Sequence, residues 1–138
     1  MKHSRGFSLV EVVLAVALLG LFVTACTGAY LYGEEATSLA GMRARATMFA
    51  EEGLEAVENM HDADFANLTA GVHGLATSSN QWVFSGTQDT NDIFTRQISI
   101  TSIDANRSNV DSTVTWQETA GRTGTVTLST RFTKWHAK

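Results

Sequence analysis

The sequence predicts an α+β fold: a long N-terminal α-helix whose second half packs on a three- to four-stranded antiparallel β-sheet. Three observations lead to this prediction. No residue from Val12 to Gly33 is charged, and from Glu34 to Met60 apolar residues recur every three or four positions. From Gln81 onward apolar and polar residues alternate. The first two patterns are typical of a helix, and the third is typical of a sheet with one face on a core.

The N-terminal segment combines a basic start with an apolar run. Lys2 and Arg5 precede the run, and the uncharged residues 12–33 would form about 33 Å of helix, enough to cross the hydrocarbon core of a bilayer. Glu11 lies near the start of this segment. A carboxylate at the edge of a membrane span is costly, so its presence indicates a function.

The stretch Gly6-Phe7-Ser8-Leu9-Val10-Glu11-Val12 resembles the processing signal of type IV prepilins and type II secretion pseudopilins. The resemblance implies that a prepilin peptidase cuts between Gly6 and Phe7 and that the new amine of Phe7 is N-methylated. It also implies that Glu11 pairs with the Phe7 amine of a neighbouring subunit. A carboxylate among apolar helices is tolerable when it is paired, so this contact would set the axial register.

The same resemblance implies a structural subunit and no enzyme, with no cofactor. Its partners would be identical or related pilin subunits, the prepilin peptidase, the assembly platform and membrane lipid before assembly. The chain would cross the cytoplasmic membrane once, with its C-terminal domain outside, and then enter an extracellular pilus or a periplasmic pseudopilus. Gly28 stands where many pilins have a proline. Gly20 and Gly28 would therefore either permit bending of the helix or let neighbouring helices approach closely.

Two rival interpretations concern the same N-terminus. One is a secretion pseudopilin, and the other is a membrane-anchored binding protein. Val23-Thr24-Ala25-Cys26 is similar to a lipobox, in which Cys26 would be lipidated, although Glu11 would weaken a signal peptide. A DNA-uptake role would rest on Trp135 beside the basic residues Arg131, Lys134 and Lys138. Cys26 is the one cysteine, so no intramolecular disulfide can form.

The sequence divides into a leader at 1–6, a transmembrane and filament-core helix at 7–33, and an amphipathic continuation at 34–64. An exposed, Gly/Ser/Thr-rich connecting loop follows at 65–80, and a sheet domain at 81–138. The helix is expected from about Ser8 to His61. Its apolar stripe runs through Leu39, Met42, Ala46, Phe49, Gly53, Ala56, Val57 and Met60.

The sheet is predicted from three alternating segments after a short apolar piece, Trp82-Val83-Phe84. The first segment, 93–103, places Phe94, Ile98 and Ile100 on one face. Turns are expected at 104–109 and 120–122. The inward residues of the other two segments would be Val110, Ser112, Val114 and Trp116, then Val126, Leu128, Thr130 and Phe132.

The sequence contains no catalytic motif and no strong metal motif. His61, Asp62 and Asp64 are a weak metal candidate without a second ligand cluster. Asp104-x-Asn106-x-Ser108 faintly resembles the start of a calcium loop, but it lacks the glycine and the final glutamate. Asn67-Leu68-Thr69 and Asn106-Arg107-Ser108 match the N-glycosylation sequon. The formal charge of −4, or −6 without Lys2 and Arg5, gives no sign of nucleic-acid binding driven by net charge.

Overall fold

The structure, a computed structural model, describes residues 8–119 and 121–134. The chain divides into two compact units, residues 1–40 and 41–138. Helix α1, Leu9–Ala63, belongs to both units. Its residues up to 40 are in the first unit, and the rest of the helix is the first element of the second unit. The α+β prediction is confirmed, because α1 is followed by antiparallel strands.

The C-terminal end of α1 is fixed by side chains that replace missing backbone partners. Asp64 is extended, and its carboxylate accepts a hydrogen bond from Ala66 N (2.9 Å), which starts a 3₁₀ turn at Phe65–Asn67. The Asn67 carboxamide donates to the carbonyl of Met60 (3.1 Å). The carbonyl of Met60 thus accepts from this carboxamide as well as from Asp64 N (3.1 Å), and α1 ends two residues later than predicted.

In the part of the chain that the structure describes, seven strands follow the helix, all paired antiparallel. Strand β5 is flanked on one side by β6, which pairs with β7, and on the other side by both β1 and β4. Strands β2 and β3 form a separate hairpin. The strands are β1 Gly71–His73, β2 Leu75–Ser78, β3 Gln81–Phe84, β4 Asp89–Asn91, β5 Phe94–Asp104, β6 Arg107–Thr119 and β7 Arg122–Thr133.

The structure differs from the loop predicted at residues 65–80. Part of this stretch is the 3₁₀ turn, and the rest supplies β1 and β2, with Leu68 and Leu75 buried in the core. The sheet accordingly has five strands, with a two-stranded hairpin beside it, where three to four strands were predicted. The short strands were missed because Gly, Ser and Thr hide the alternation over segments of three or four residues.

The core of the second unit lies between the helix stripe and one face of the sheet. Ala56, Val57 and Met60 pack with Ile98, Ile100 and Val110 in one cluster. A second cluster joins the buried helix residues Ala46, Phe49 and Ala50 to the sheet residues Phe94, Val114 and Trp116. The predicted inward faces of β5 and β6 are therefore confirmed. Those of β7 are only half-buried.

Arg96 is the unexpected member of this interior. It lies on β5 between Phe94 and Ile98, and 2% of its surface is exposed. Its guanidinium donates to the carbonyl of Phe49 (Nη1–O 2.9 Å) and to Asp89 (Nη2–Oδ2 2.7 Å), and it lies 3.9 Å from the centre of the Phe49 ring. Asp89 also accepts from Leu75 N (3.0 Å). One buried arginine thus ties the helix backbone to the short strand β4 and the start of β2.

Gly53 brings the helix close to the sheet at the same place. A Cβ added there would lie 2.7 Å from Ser112 Oγ, 2.9 Å from Arg96 Cδ and 3.1 Å from Ile98 Cδ1. Gly53 is buried and lies on the predicted apolar stripe. The glycine is therefore required for close approach of helix and sheet.

Candidate functional site

The described part of the candidate assembly site is the start of α1. Ser8 precedes the helix, and its carbonyl accepts from Glu11 N (3.0 Å) and Val12 N (3.2 Å). The carboxylate of Glu11 accepts a long hydrogen bond from Ser8 N (Oε2–N 3.4 Å). A serine followed three residues later by a glutamate is a capping-box pattern. Within this chain, Glu11 therefore has a local partner, which the sequence interpretation missed although Ser-x-x-Glu is visible in the sequence.

The apolar side chains that follow Glu11 have no core of their own. From Leu9 to Tyr32, fourteen large apolar side chains are each more than half exposed, from 52% at Val12 to 79% at Leu9. At about 1.5 kcal/mol for each side chain removed from water, burial of this set would be favourable by roughly 20 kcal/mol. The segment therefore requires either lipid or other apolar helices around it.

The polar side chains within this apolar segment are largely satisfied inside the helix. Thr24 Oγ1 donates to the carbonyls of Gly20 (3.1 Å) and Leu21 (2.9 Å), and Thr27 Oγ1 donates to Val23 O (2.9 Å). Such bonds remove the cost of placing a hydroxyl in hydrocarbon. Tyr30 and Tyr32 end the segment, as aromatic residues do at a membrane interface. Glu11 is left as the charged group of the apolar stretch.

The glycines of the segment stand in open surroundings. A Cβ added at Gly20 or Gly28 would meet no atom within 4 Å, and α1 continues through both positions. Cys26 is an exposed free thiol on the same helix.

Gly6, Phe7 and Trp135, which the sequence interpretation assigned to processing and to DNA binding, lie outside the described residues.

The weak metal candidates have other contacts. His61 is buried, and its Nε2 donates to the carbonyl of Thr133 (3.2 Å), while Nδ1 lies 3.0 Å from Asp62 Oδ1. Asp64 caps the 3₁₀ turn. Within residues 8–119 and 121–134, no three His, Cys, Asp or Glu side chains are grouped so that they could hold a metal ion.

The faint calcium pattern forms an ion-paired turn between β5 and β6. Asp104 accepts from Arg107 Nε (2.7 Å) and from Asn106 N (2.9 Å). The hydrogen bond from Arg107, and after it the one from the Asn106 backbone, lower the pKa of Asp104 below its ordinary value. The carboxylate is thus occupied by a cation of its own chain.

Among the described residues, α1 is the helix that is long and apolar enough to cross a membrane. Its start coincides with a known motif, because residues 1–27 match the family described as the prokaryotic N-terminal methylation motif. The chain carries a type IV prepilin-like signal. This signal and the long apolar helix are consistent with anchoring of the prepilin-like chain in a membrane.

The match covers about a fifth of the prepilin-like chain and ends within the apolar segment. It includes Gly6, Phe7, Glu11 and Gly20, but not Gly28 or the sheet. Proteins with this signal are structural, pilin-like subunits that typically have no enzymatic activity. The searches of curated proteins and of solved structures found no match to the chain.

Proposed function

We propose that this prepilin-like chain is the structural subunit of a helical pilus filament. It is cleaved after Gly6, methylated on the amine of Phe7, and held in the cytoplasmic membrane by residues 7–33 with the sheet domain outside. The assembly platform then transfers it into the filament, where identical or related subunits surround the helix. The observation that carries the proposal is the prepilin-like signal at residues 1–27, which leads into a helix whose large apolar side chains from Leu9 to Tyr32 are exposed.

The hydrophobic effect explains storage in the membrane but not departure from it. Lipid tails are as apolar as leucine side chains, so moving the helix from lipid into a bundle of helices gains little hydrophobic free energy. A directional polar contact is needed to favour the bundle. Glu11 is the charged side chain in the right place, and the methylated Phe7 amine of the next subunit would be its cation. In the filament this contact would replace the long bond from Ser8 N.

The cleavage step is tested by the intact mass of the protein extracted from its native membrane. We expect a chain that begins at Phe7 and is heavier by one methyl group. A Gly6→Val variant should keep residues 1–6, because a β-branched side chain replaces the small residue at the cut. A mature chain that begins at a lipidated Cys26, or an uncut wild-type chain, would contradict the proposal and favour an anchored binding protein.

The assembly step is tested by Glu11→Gln, with Glu34→Gln as the matched control on the same helix. Both residues are exposed, but only Glu11 lies in the apolar segment. We expect Glu11→Gln to be cleaved and membrane-bound yet to fall at least about tenfold in filament yield, since a contact worth about 1.4 kcal/mol is lost per subunit. Glu34→Gln should assemble normally. Equal yields from both variants would refute the role of Glu11.

The same preparation separates a surface pilus from a secretion pseudopilus. A pilus subunit should be recovered in filaments sheared from the cell surface. Recovery only from the envelope fraction, together with loss of protein secretion when the gene is deleted, would assign the chain to a pseudopilus.

A further inference from the structure

A groove of about 490 Å³ lies beside the last turns of α1 and is bounded by the β2–β3 hairpin. Its polar lining consists of carboxamides, and its apolar lining includes two aromatic rings of β3. This volume is within the range of small-molecule sites. The carboxamides belong to Asn59, Asn67, Asn80 and Gln81, and the rings to Trp82 and Phe84.

The carboxamides keep hydrogen-bonding capacity for a ligand. Asn59 and Asn67 each donate one N–H to a helix carbonyl, Glu55 O (2.9 Å) and Met60 O (3.1 Å), and those bonds leave their side-chain oxygens as acceptors. In the described part of the chain, the side chains of Asn80 and Gln81 have no hydrogen-bond partner. The groove therefore offers both donors and acceptors from neutral groups.

The hairpin turn that carries two of these groups has an uncommon backbone. Ser78 pairs with Gln81, so Ser79 and Asn80 form a two-residue turn, with φ of 51° and 61°. Glycine and asparagine adopt this conformation readily, but serine does so at a cost. The turn nevertheless holds Asn80 and Gln81 at the rim of the groove.

The uncharged lining of the groove and the acidic end of α1 disfavour an anionic ligand. None of the residues that line it is charged. From Thr47 to Asp64, α1 and its cap contain no lysine or arginine but six acids: Glu51, Glu52, Glu55, Glu58, Asp62 and Asp64. A phosphate or uronate would find no cation among the lining residues and would lie beside this acidic end of α1.

We propose that this groove binds a neutral saccharide. Sugar hydroxyls donate and accept hydrogen bonds at once, which suits carboxamides better than ions. The C–H faces of a pyranose ring are apolar and pack on an indole, whose N–H remains available as a donor. Trp82 is half-buried and packs against the core cluster below the groove, so its ring is held in place for such a contact.

The test uses the full chain in lipid nanodiscs, because detergents with sugar headgroups would compete for the groove. The probes are the β-1,4-linked tetrasaccharides of glucose and of N-acetylglucosamine, with tetragalacturonate and a thymidine tetranucleotide as anionic counterparts. Ligand-observed saturation-transfer NMR measures binding. We expect at least one neutral tetrasaccharide to bind and both anionic probes to bind more weakly.

Two variants locate the binding. Asn80→Gly removes a carboxamide and suits the left-handed turn, so the hairpin is preserved. Gln81→Ala removes a second carboxamide from the groove. Gln97→Ala is the matched control, because it removes an exposed carboxamide on β5. Asn80→Gly and Gln81→Ala should each raise the dissociation constant of the saccharide about threefold to tenfold, because each removes a neutral hydrogen bond. Gln97→Ala should leave the dissociation constant unchanged.

Three results would overturn the proposal. They are no signal from either neutral probe up to about 10 mM, affinity unchanged in both groove variants, or preferred binding of an anionic probe. Ligand binding is measured on the unassembled chain, so the outcome is independent of cleavage and filament formation.

Discussion

The two halves of α1 have the same backbone but opposite surroundings. From Leu9 to Tyr32 the helix is apolar on every side, and its side chains are exposed. From Gly41 to Ala63 most apolar residues form one stripe that is buried against the sheet, and charged residues are found on the remaining surface together with the exposed Met48. The first half therefore depends on partners from outside the chain, whereas the second half has its partner in the same chain.

The difference shows that helix pattern, and not helix length, determines where a segment is buried. An apolar stripe on one side of a helix can be covered by a single surface, such as a sheet. A helix that is apolar on every side must be surrounded by lipid or by other apolar helices. Substitutions in the two halves should therefore have separable effects. Those in the second half change the free energy of unfolding of the sheet domain, and those in the first half change insertion and assembly.

Arg96→Met should produce the largest loss of stability. It removes the donor to Phe49 O and leaves Asp89 without its cation, and breaking a buried ion pair costs about 3–5 kcal/mol. Thermal unfolding of the full chain in detergent, followed by near-UV circular dichroism of the buried Trp116, measures the effect. Arg43→Met, at an exposed arginine of α1, is the control and should change stability by less than about 0.5 kcal/mol.

A second variant shows whether the unpaired charge is the cause. Arg96→Met combined with Asp89→Asn removes the orphaned carboxylate but keeps an oxygen that accepts from Leu75 N. The double variant should therefore be more stable than Arg96→Met alone. If it were less stable, the contribution of Asp89 would not depend on Arg96.

Gly53→Ala and Gly28→Ala compare the same substitution in the two halves. At Gly53 the new methyl would lie within 3 Å of Ser112 and Arg96 atoms, and overpacking of about 1–3 kcal/mol exceeds the helix-propensity gain of about 1 kcal/mol. At Gly28 the methyl meets nothing. We expect a lower unfolding temperature only for Gly53→Ala.

Gly28→Ala sharpens the comparison further through assembly. If bending at Gly28 is used during transfer into the filament, Gly28→Ala should slow filament formation while the unfolding temperature stays unchanged. Normal assembly of Gly28→Ala would refute a role of Gly28 in flexibility.

Asp104→Asn should have the smallest effect, and it should remove a contribution to stability that depends on pH in the wild type. The pKa of Asp104 is lowered in the folded state, so its ion pair with Arg107 stabilises the fold above the ordinary value near 3.8 and is lost as the pH falls below it. Asp104→Asn should therefore be slightly less stable than wild type at pH 7, and the difference should vanish in acid. Parallel unfolding curves at both pH values measure it, and a constant difference would contradict the assignment.

The long periodic elements were predictable from the sequence because each has many residues to define its period. The helix expected from Ser8 to His61 is observed at Leu9–Ala63. The inward face of β6, from Val110 to Trp116, is buried as predicted.

Features that depend on contacts distant in sequence were not predictable. The alternation on β5 does place Arg96 beside Phe94 and Ile98, but its acceptors Phe49 O and Asp89 lie on other elements. The carboxamide groove likewise combines the helix end with a hairpin in a stretch predicted to be a loop. The sequon residue Asn67 proved to be part of a helix cap.

Strand β7 has consequences for handling the protein. It runs for twelve residues and, among the described elements, pairs on one side only. It contains no proline, and Arg122 and Arg131 are its charged side chains, so its free edge is poorly protected against pairing with another chain. Preparations in which the chain is concentrated in detergent, which covers the apolar half of α1, should thus be prone to aggregation by edge-to-edge strand addition. A lysine introduced at the outward-facing Thr127 should raise the soluble concentration without weakening the core.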